Sequence, residues 1–167
     1  MWMGRLNMPI VNHLKHLVLL FLQRKPFSSG NDNSSFLSYL VTMGFASLLC
    51  TYLELFFTGK GFYAFPSRPF PGIFTIDIRF TLIGIPLFTF LVLYSMNLMT
   101  GFLRSCFVLT IGFIMMMIEV LSERIGLLTH SSQWNHIYSF FGYIIFIFLI
   151  WNLFQWYESP RLKKPHV

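Results

Sequence analysis

Charge is what this chain has least of. Only six of its 167 residues are acidic and twelve are basic, so charged side chains make up 11%. A soluble domain carries about 25%. With 21 phenylalanines against those twelve cations, no water-solvated surface can be assembled, and soluble globular classes fall away. Cysteine is also scarce. Cys50 and Cys106 both sit inside apolar runs, which excludes a disulfide framework and fits two small buried apolar side chains. Strand-like alternation of period two is absent, and an open sheet edge has no place in hydrocarbon. Several motifs are missing as well. There is no G-x-S-x-G elbow, P-loop, G-x-G-x-x-G or H-E-x-x-H, and no internal repeat of the kind that builds inverted-repeat transporters.

What is present is a series of long hydrophobic runs. Four of them are expected to cross a bilayer as helices, at about 36–57, 75–97, 103–125 and 136–157, each close to the ~20 residues that a hydrocarbon core requires. The fold class is therefore all-α, a polytopic membrane protein built as a bundle of four transmembrane helices. Ahead of the bundle, residues 1–35 form an N-terminal segment. Its run Leu17–Leu22 is too short to span and is followed by Gln23-Arg24-Lys25-Pro26, with no small-residue cleavage site. With His13, Lys15 and His16 beside it, a short amphipathic helix on the membrane surface is expected, then a polar linker from Pro26 to Ser35. Residues 158–167 make a basic tail. Pro86 falls within the second run and is expected to kink it.

The net charge of +6 reads as topology rather than as nucleic-acid binding, since no RNA-binding pattern, zinc-finger spacing or basic helix accompanies it. Arg5, Lys15, Arg24, Lys25, Arg104, Arg161, Lys163 and Lys164 fall on one side of the four-span plan; Lys60, Arg68, Arg79 and Arg124 fall on the other. Eight against four puts both termini in the cytoplasm of a multi-pass protein of the cell membrane. The lipid bilayer is the partner this implies, with other copies of the chain or other membrane proteins as further possibilities.

The same plan gathers the polar residues. Glu54 closes the first span, Asp77 and Arg79 open the second, and Glu119, Glu123 and Arg124 close the third. His130, Trp134, Asn135 and His136 lie in the loop before the fourth and at its start. All belong to one outer layer, where four acids against two arginines leave a formal charge of −2. Helical spacing gives each span a stripe of small and polar residues: Gly44, Ser47, Thr51 and Glu54; Asp77, Thr81 and Gly84; Gly112, Met116, Glu119, Glu123 and Gly126; Asn135, Ser139 and Gly142.

Two readings of this layer stand side by side. The charges pair and staple the helices together, as buried charges generally do. Alternatively Glu54, Asp77, Arg79, Glu119, Glu123, Trp134 and Asn135 line an outward-facing pocket for a cation, a lipid headgroup or a small polar ligand. A metal site drawing on Glu119, Glu123, His130 and His136 finds no ligand pair at a characteristic spacing, and the two histidines read as solvated interfacial residues. No histidine lies deep in a span to hold haem, so no cofactor is expected. No nucleophile–base pair points to an enzyme. The first expectation is thus a non-enzymatic structural or accessory membrane component, and the second a small transporter or binding protein.

The pairs Ile118-Glu119 and Gly126-Leu127, followed by Gln133-Trp134-Asn135 and Ser139, resemble a family of small uncharacterised four-helix integral membrane proteins of spore-forming Firmicutes. In that family a third-span glutamate precedes a Gly-Leu and a loop ending in Gly-Trp-Asn; here Gln133 stands in the glycine's place. The stretch Phe74–Leu93 is similar too, with an acidic residue near its start and a central proline. The likeness covers roughly 36–157. It implies the four-helix architecture and a bacterial membrane location, marks Glu119, Trp134 and Asn135, and adds no mechanism.

Overall fold

The computed structural model describes residues 32–158; the expected surface helix and basic tail lie outside them. The described chain runs as helix α1 (Asp32–Gly59), a short strand β1 (Tyr63–Ala64), a π-helical turn (Phe80–Gly84) continuing into α2 (Ile85–Leu98), then α3 (Gly101–Arg124), strand β2 (Thr129–His130) and α4 (His136–Glu158). Four helices are long and apolar enough to cross a membrane: Ser35–Gly59, Phe80–Leu98, Gly101–Arg124 and His136–Glu158.

Two boundaries differ from expectation. Helix α1 starts at Asp32, inside the expected linker, so the 1–35 boundary moves back. The second span starts near Phe80 rather than at residue 75. Its apolar run does include Phe74 and Ile76, but Asp77 interrupts it. The Asp77 carboxylate accepts the Arg79 backbone N–H at 3.0 Å, and the Asp77 carbonyl accepts that of Phe80 at 3.1 Å, so the helix is capped and begun there. Pro86 falls in the first turn of α2, directly behind the π-helical turn. A proline cannot donate to the helical ladder and its ring crowds the preceding turn; a wider turn just ahead of it accommodates both.

The helices alternate in direction, and the interior they enclose is narrow. Helix α4 is central. Its Ile150 and Phe154 meet Tyr39 and Ala46 of α1 and Ile85 and Leu93 of α2, while its Ile147 meets Val92 and Met96 of α2 against Phe107, Val108 and Ile111 of α3. Most large apolar side chains point outward, among them Leu48, Leu82, Ile83, Phe102 and Phe148. That pattern is inverted for water and natural for lipid.

The stripes of small residues are met only in part. Gly112 is buried: a Cβ there would lie 3.1 Å from Ile144 Cγ1, so α3 and α4 approach closely at this glycine. Thr81, Glu119, Ser139 and Glu54 are buried as expected. Gly44 and Gly142 are not; a Cβ at either would meet nothing within 4 Å. On α1 the inward row at that level is Ser38, Thr42 and Ala46, one step around the helix from the expected row. Bulky neighbours decide which face turns inward, and spacing alone left this open.

The ends of the bundle are built differently. At one, α2 and α3 join through a tight turn with Gly101 at φ +54°, where Arg104 donates to the Met96 carbonyl (3.2 Å) and the Met99 carbonyl (2.6 Å) and lies 4.3 Å from the Trp151 ring. At the other, the loops after α1 and α3 pair as an antiparallel ribbon, Tyr63 opposite His130 and Ala64 opposite Thr129. This ribbon caps the bundle and carries the candidate site.

Candidate functional site

Glu119 is the centre of the capped end. It sits about one turn from the end of α3 and is 8% exposed. Burying a carboxylate is costly unless donors replace its water, and four side chains converge on it. Ser139 Oγ donates to Oε1 at 2.5 Å and Tyr143 Oη to Oε2 at 3.0 Å, both from α4. His136 Nδ1, at the start of α4, is 3.2 Å from Oε1, and His130 Nε2, from β2, is 3.3 Å from the same oxygen.

Glu123, one turn on, faces the far sides of both rings. Its Oε2 is 3.4 Å from His130 Nδ1 and 3.2 Å from His136 Nε2, while its Oε1 accepts the His130 backbone N–H at 3.1 Å. Two imidazoles are therefore held edge-to-face, 5.1 Å between ring centres, with carboxylate oxygens on both sides of each. Carboxylates only accept, so all four ring nitrogens face acceptors. Burial works against a charge on His130, but the Glu119 and Glu123 carboxylates outweigh it and raise its pKa above the ordinary histidine value.

Aromatic rings close the site. Trp134 stacks on His130, centroids 5.6 Å apart and planes within 11°, and its Nε1–H donates to Ser139 Oγ at 3.1 Å. Phe57, Phe62 and Tyr63 pack around Trp134. The local chain geometry places the ring pair. After α3, Gly126 takes φ +74°, a conformation that strains any residue bearing a Cβ, and Leu127 N–H returns to the Ser122 carbonyl at 2.9 Å. The chain thus turns sharply back, and the ribbon carries His130 over Glu119.

The seven residues expected in a pocket divide into groups. Glu119, Glu123 and Trp134 are in the cluster. Asn135 is beside it but serves the backbone: its Oδ1 accepts the Ile137 N–H at 3.0 Å and begins α4. Asp77 and Arg79 form a pair of their own at 2.8 Å, with Arg79 also donating to the Ser67 carbonyl at 2.9 Å. The Arg79 guanidinium holds the Asp77 carboxyl below its usual range. Glu54 is buried on α1 with the Cys50 thiol 4.0 Å from Oε1 and, among the described residues, no hydrogen bond at Oε2. Tyr63 is within electrostatic reach of both Glu54 and Glu119, and burial, followed by those charges, raises its phenol pKa.

His130 and His136 are the residues that sequence spacing passed over. His130 is not a solvated interfacial residue: its side chain is 6% exposed. The one signal available for it was topological, since the four-span plan already placed both histidines in Glu119's layer. Glu119, His130 and His136 each offer one ligand atom, all within 4.8 Å of one another. The Ser139 hydroxyl is bonded to Glu119 and Trp134.

No family model, no curated protein and no solved structure matches this chain.

Proposed function

We propose that this chain is a non-enzymatic component of a cell membrane, a four-span scaffold that presents a preformed polar cap on its outer face. One observation carries the reading: a single buried carboxylate, Glu119, is reached by donors from the β2 loop and from α4, so that the cap and two helices share one polar node. Such a node holds a surface in one conformation, which suits a protein that docks against a membrane partner or another copy of itself. The arrangement lacks the features of acyl-transfer chemistry. The Ser139 hydroxyl gives its proton to a carboxylate, and both imidazoles are engaged by acceptors.

The outward placement of the cap rests on the excess of Lys and Arg on the opposite side. A bacterial membrane location rests on the likeness to the four-helix family of spore-forming Firmicutes. The test of the scaffold reading is the stability of Glu119→Gln in detergent. Loss of charge at the node should lower the melting temperature by several degrees and expose the 125–135 loop to protease. A variant as stable and as protected as wild type would exclude Glu119 as the node of the cap.

A further inference from the structure

From the geometry at the capped end we infer a binding site for a divalent transition-metal ion, with Glu119 Oε1, His130 Nε2 and His136 Nδ1 as ligands and Glu123 supporting both histidines from behind.

The donor set is the first argument. Two imidazoles and one carboxylate suit zinc and its neighbours; calcium and magnesium take oxygen ligands. Spacing is the second. Ligands held at about 2.0–2.1 Å around a tetrahedral ion lie about 3.3–3.4 Å from each other. Glu119 Oε1 is 3.3 Å from His130 Nε2 and 3.2 Å from His136 Nδ1. Two edges of such a face are thus already at that length, and one ligand atom from each of the three residues lies within 4.8 Å of the others.

The third argument is what stands behind the ligands. Histidines that bind metals usually present their other ring nitrogen to a carboxylate, which fixes the ring's orientation. Here Glu123 Oε2 faces His130 Nδ1 at 3.4 Å and His136 Nε2 at 3.2 Å, so one carboxylate serves both rings. A simple ion pair would need only one carboxylate per ring.

The fourth is enclosure. The His130 side chain is only 6% exposed, held between Glu119, Glu123 and the Trp134 ring. Trp134 stacked on the ring keeps it in the site's plane.

This inference goes beyond the scaffold reading and can fail without it. The experiment uses full-length protein purified in detergent without a histidine tag and stripped of metal by chelator. It is titrated with Zn²⁺, with Co²⁺ as an optical reporter, and with Mg²⁺. One equivalent of Zn²⁺ or Co²⁺ is expected to bind and to raise the melting temperature. Co²⁺ should give the intense visible bands of a tetrahedral site, and Mg²⁺ should do neither. His130→Ala and His136→Ala should lose the bands, and Glu123→Gln should weaken binding about 10–100-fold. X-ray absorption of the Zn²⁺-loaded protein with His13, His16 and His166 replaced by alanine leaves the site's own residues intact, so it decides the matter even if a site variant does not fold; it should show two imidazoles in an all-nitrogen-and-oxygen shell. Failure of wild type to bind one equivalent would overturn the site. So would binding that survives both histidine substitutions, which would place the ion at the terminal histidines His13, His16 or His166. If Glu119→Gln unfolds the cap while wild type binds no metal, the scaffold stands and the metal site falls.

Discussion

The Ser139 hydroxyl lies between two residues from different elements: it donates to Glu119 of α3 at 2.5 Å and accepts the Trp134 indole N–H at 3.1 Å. One small side chain on α4 thereby links a buried carboxylate to the aromatic lid. Ser139→Ala removes the donor and leaves the indole N–H without its acceptor. Hydrogen bonds to charged groups contribute about 1.5–3 kcal/mol, so a loss of that size is expected. Denaturation in detergent micelles would measure it. A loss under about 0.5 kcal/mol, the range of ordinary surface changes, would show that the lid is held by ring packing alone.

The close approach of α3 and α4 at Gly112 makes a second test. Any Cβ there meets Ile144 at 3.1 Å and Phe140 at 3.5 Å. Gly112→Val should force the pair apart and cost about 1–3 kcal/mol. Gly142→Ala is the paired control, because a Cβ there meets nothing within 4 Å. It should be neutral or stabilising by up to about 1 kcal/mol through helix propensity. Equal effects from both glycines would mean that the helices do not meet at Gly112.

Asp77 and Arg79 predict an acid response at the entry to the second span. The Arg79 guanidinium lowers the Asp77 pKa, so folding favours the ionised form. The pair's contribution is present above the unfolded aspartate value, about 3.9, and is lost as pH falls through the lower folded value. Arg79 is 58% exposed, so solvent screening keeps the effect small. In melting curves taken from pH 6 down to pH 3, Asp77→Asn should lie below wild type at the upper end and converge with it at the lower. A gap that widens toward acid would contradict the pairing.

Orientation can be read directly. In a background with Cys50 and Cys106 replaced by serine, Ser67→Cys in the ribbon-side loop should react with a membrane-impermeant thiol reagent added outside intact cells. Thr100→Cys in the α2–α3 turn should react only after the membrane is opened. The reverse pattern would place the cap in the cytoplasm and show that the excess of eight cations over four does not set the topology.

At the α2–α3 turn, Arg104 donates to two carbonyls that end α2 and lies over Trp151. Arg104→Ala should cost about 2 kcal/mol in detergent, combining lost hydrogen bonds with a lost cation–π contact. Arg104→Lys should recover only part of it, because an ammonium cannot match the planar fork. Full recovery by lysine would mean that charge alone holds the turn.

Four membrane-spanning helices were legible in the chain because hydrophobicity is summed over about twenty residues, and no single contact alters such a sum. The polar layer was legible for the same reason: once the runs are counted, Glu54, Asp77, Glu119, Glu123, His130 and His136 must fall near one end. Which of them meet was not legible. Asp77 begins a helix, Asn135 begins another, and Glu54 stays on α1 beside Cys50. His130 reaches Glu119 only because Gly126 reverses the chain and a two-residue ribbon pairs it with Tyr63, 67 positions earlier. Spacing along one helix reports neighbours three or four residues away. A site assembled from α3, a loop ribbon and α4 depends on distances that exist only after those elements have packed, so the sequence by itself determined the layer and the tertiary structure decided the site.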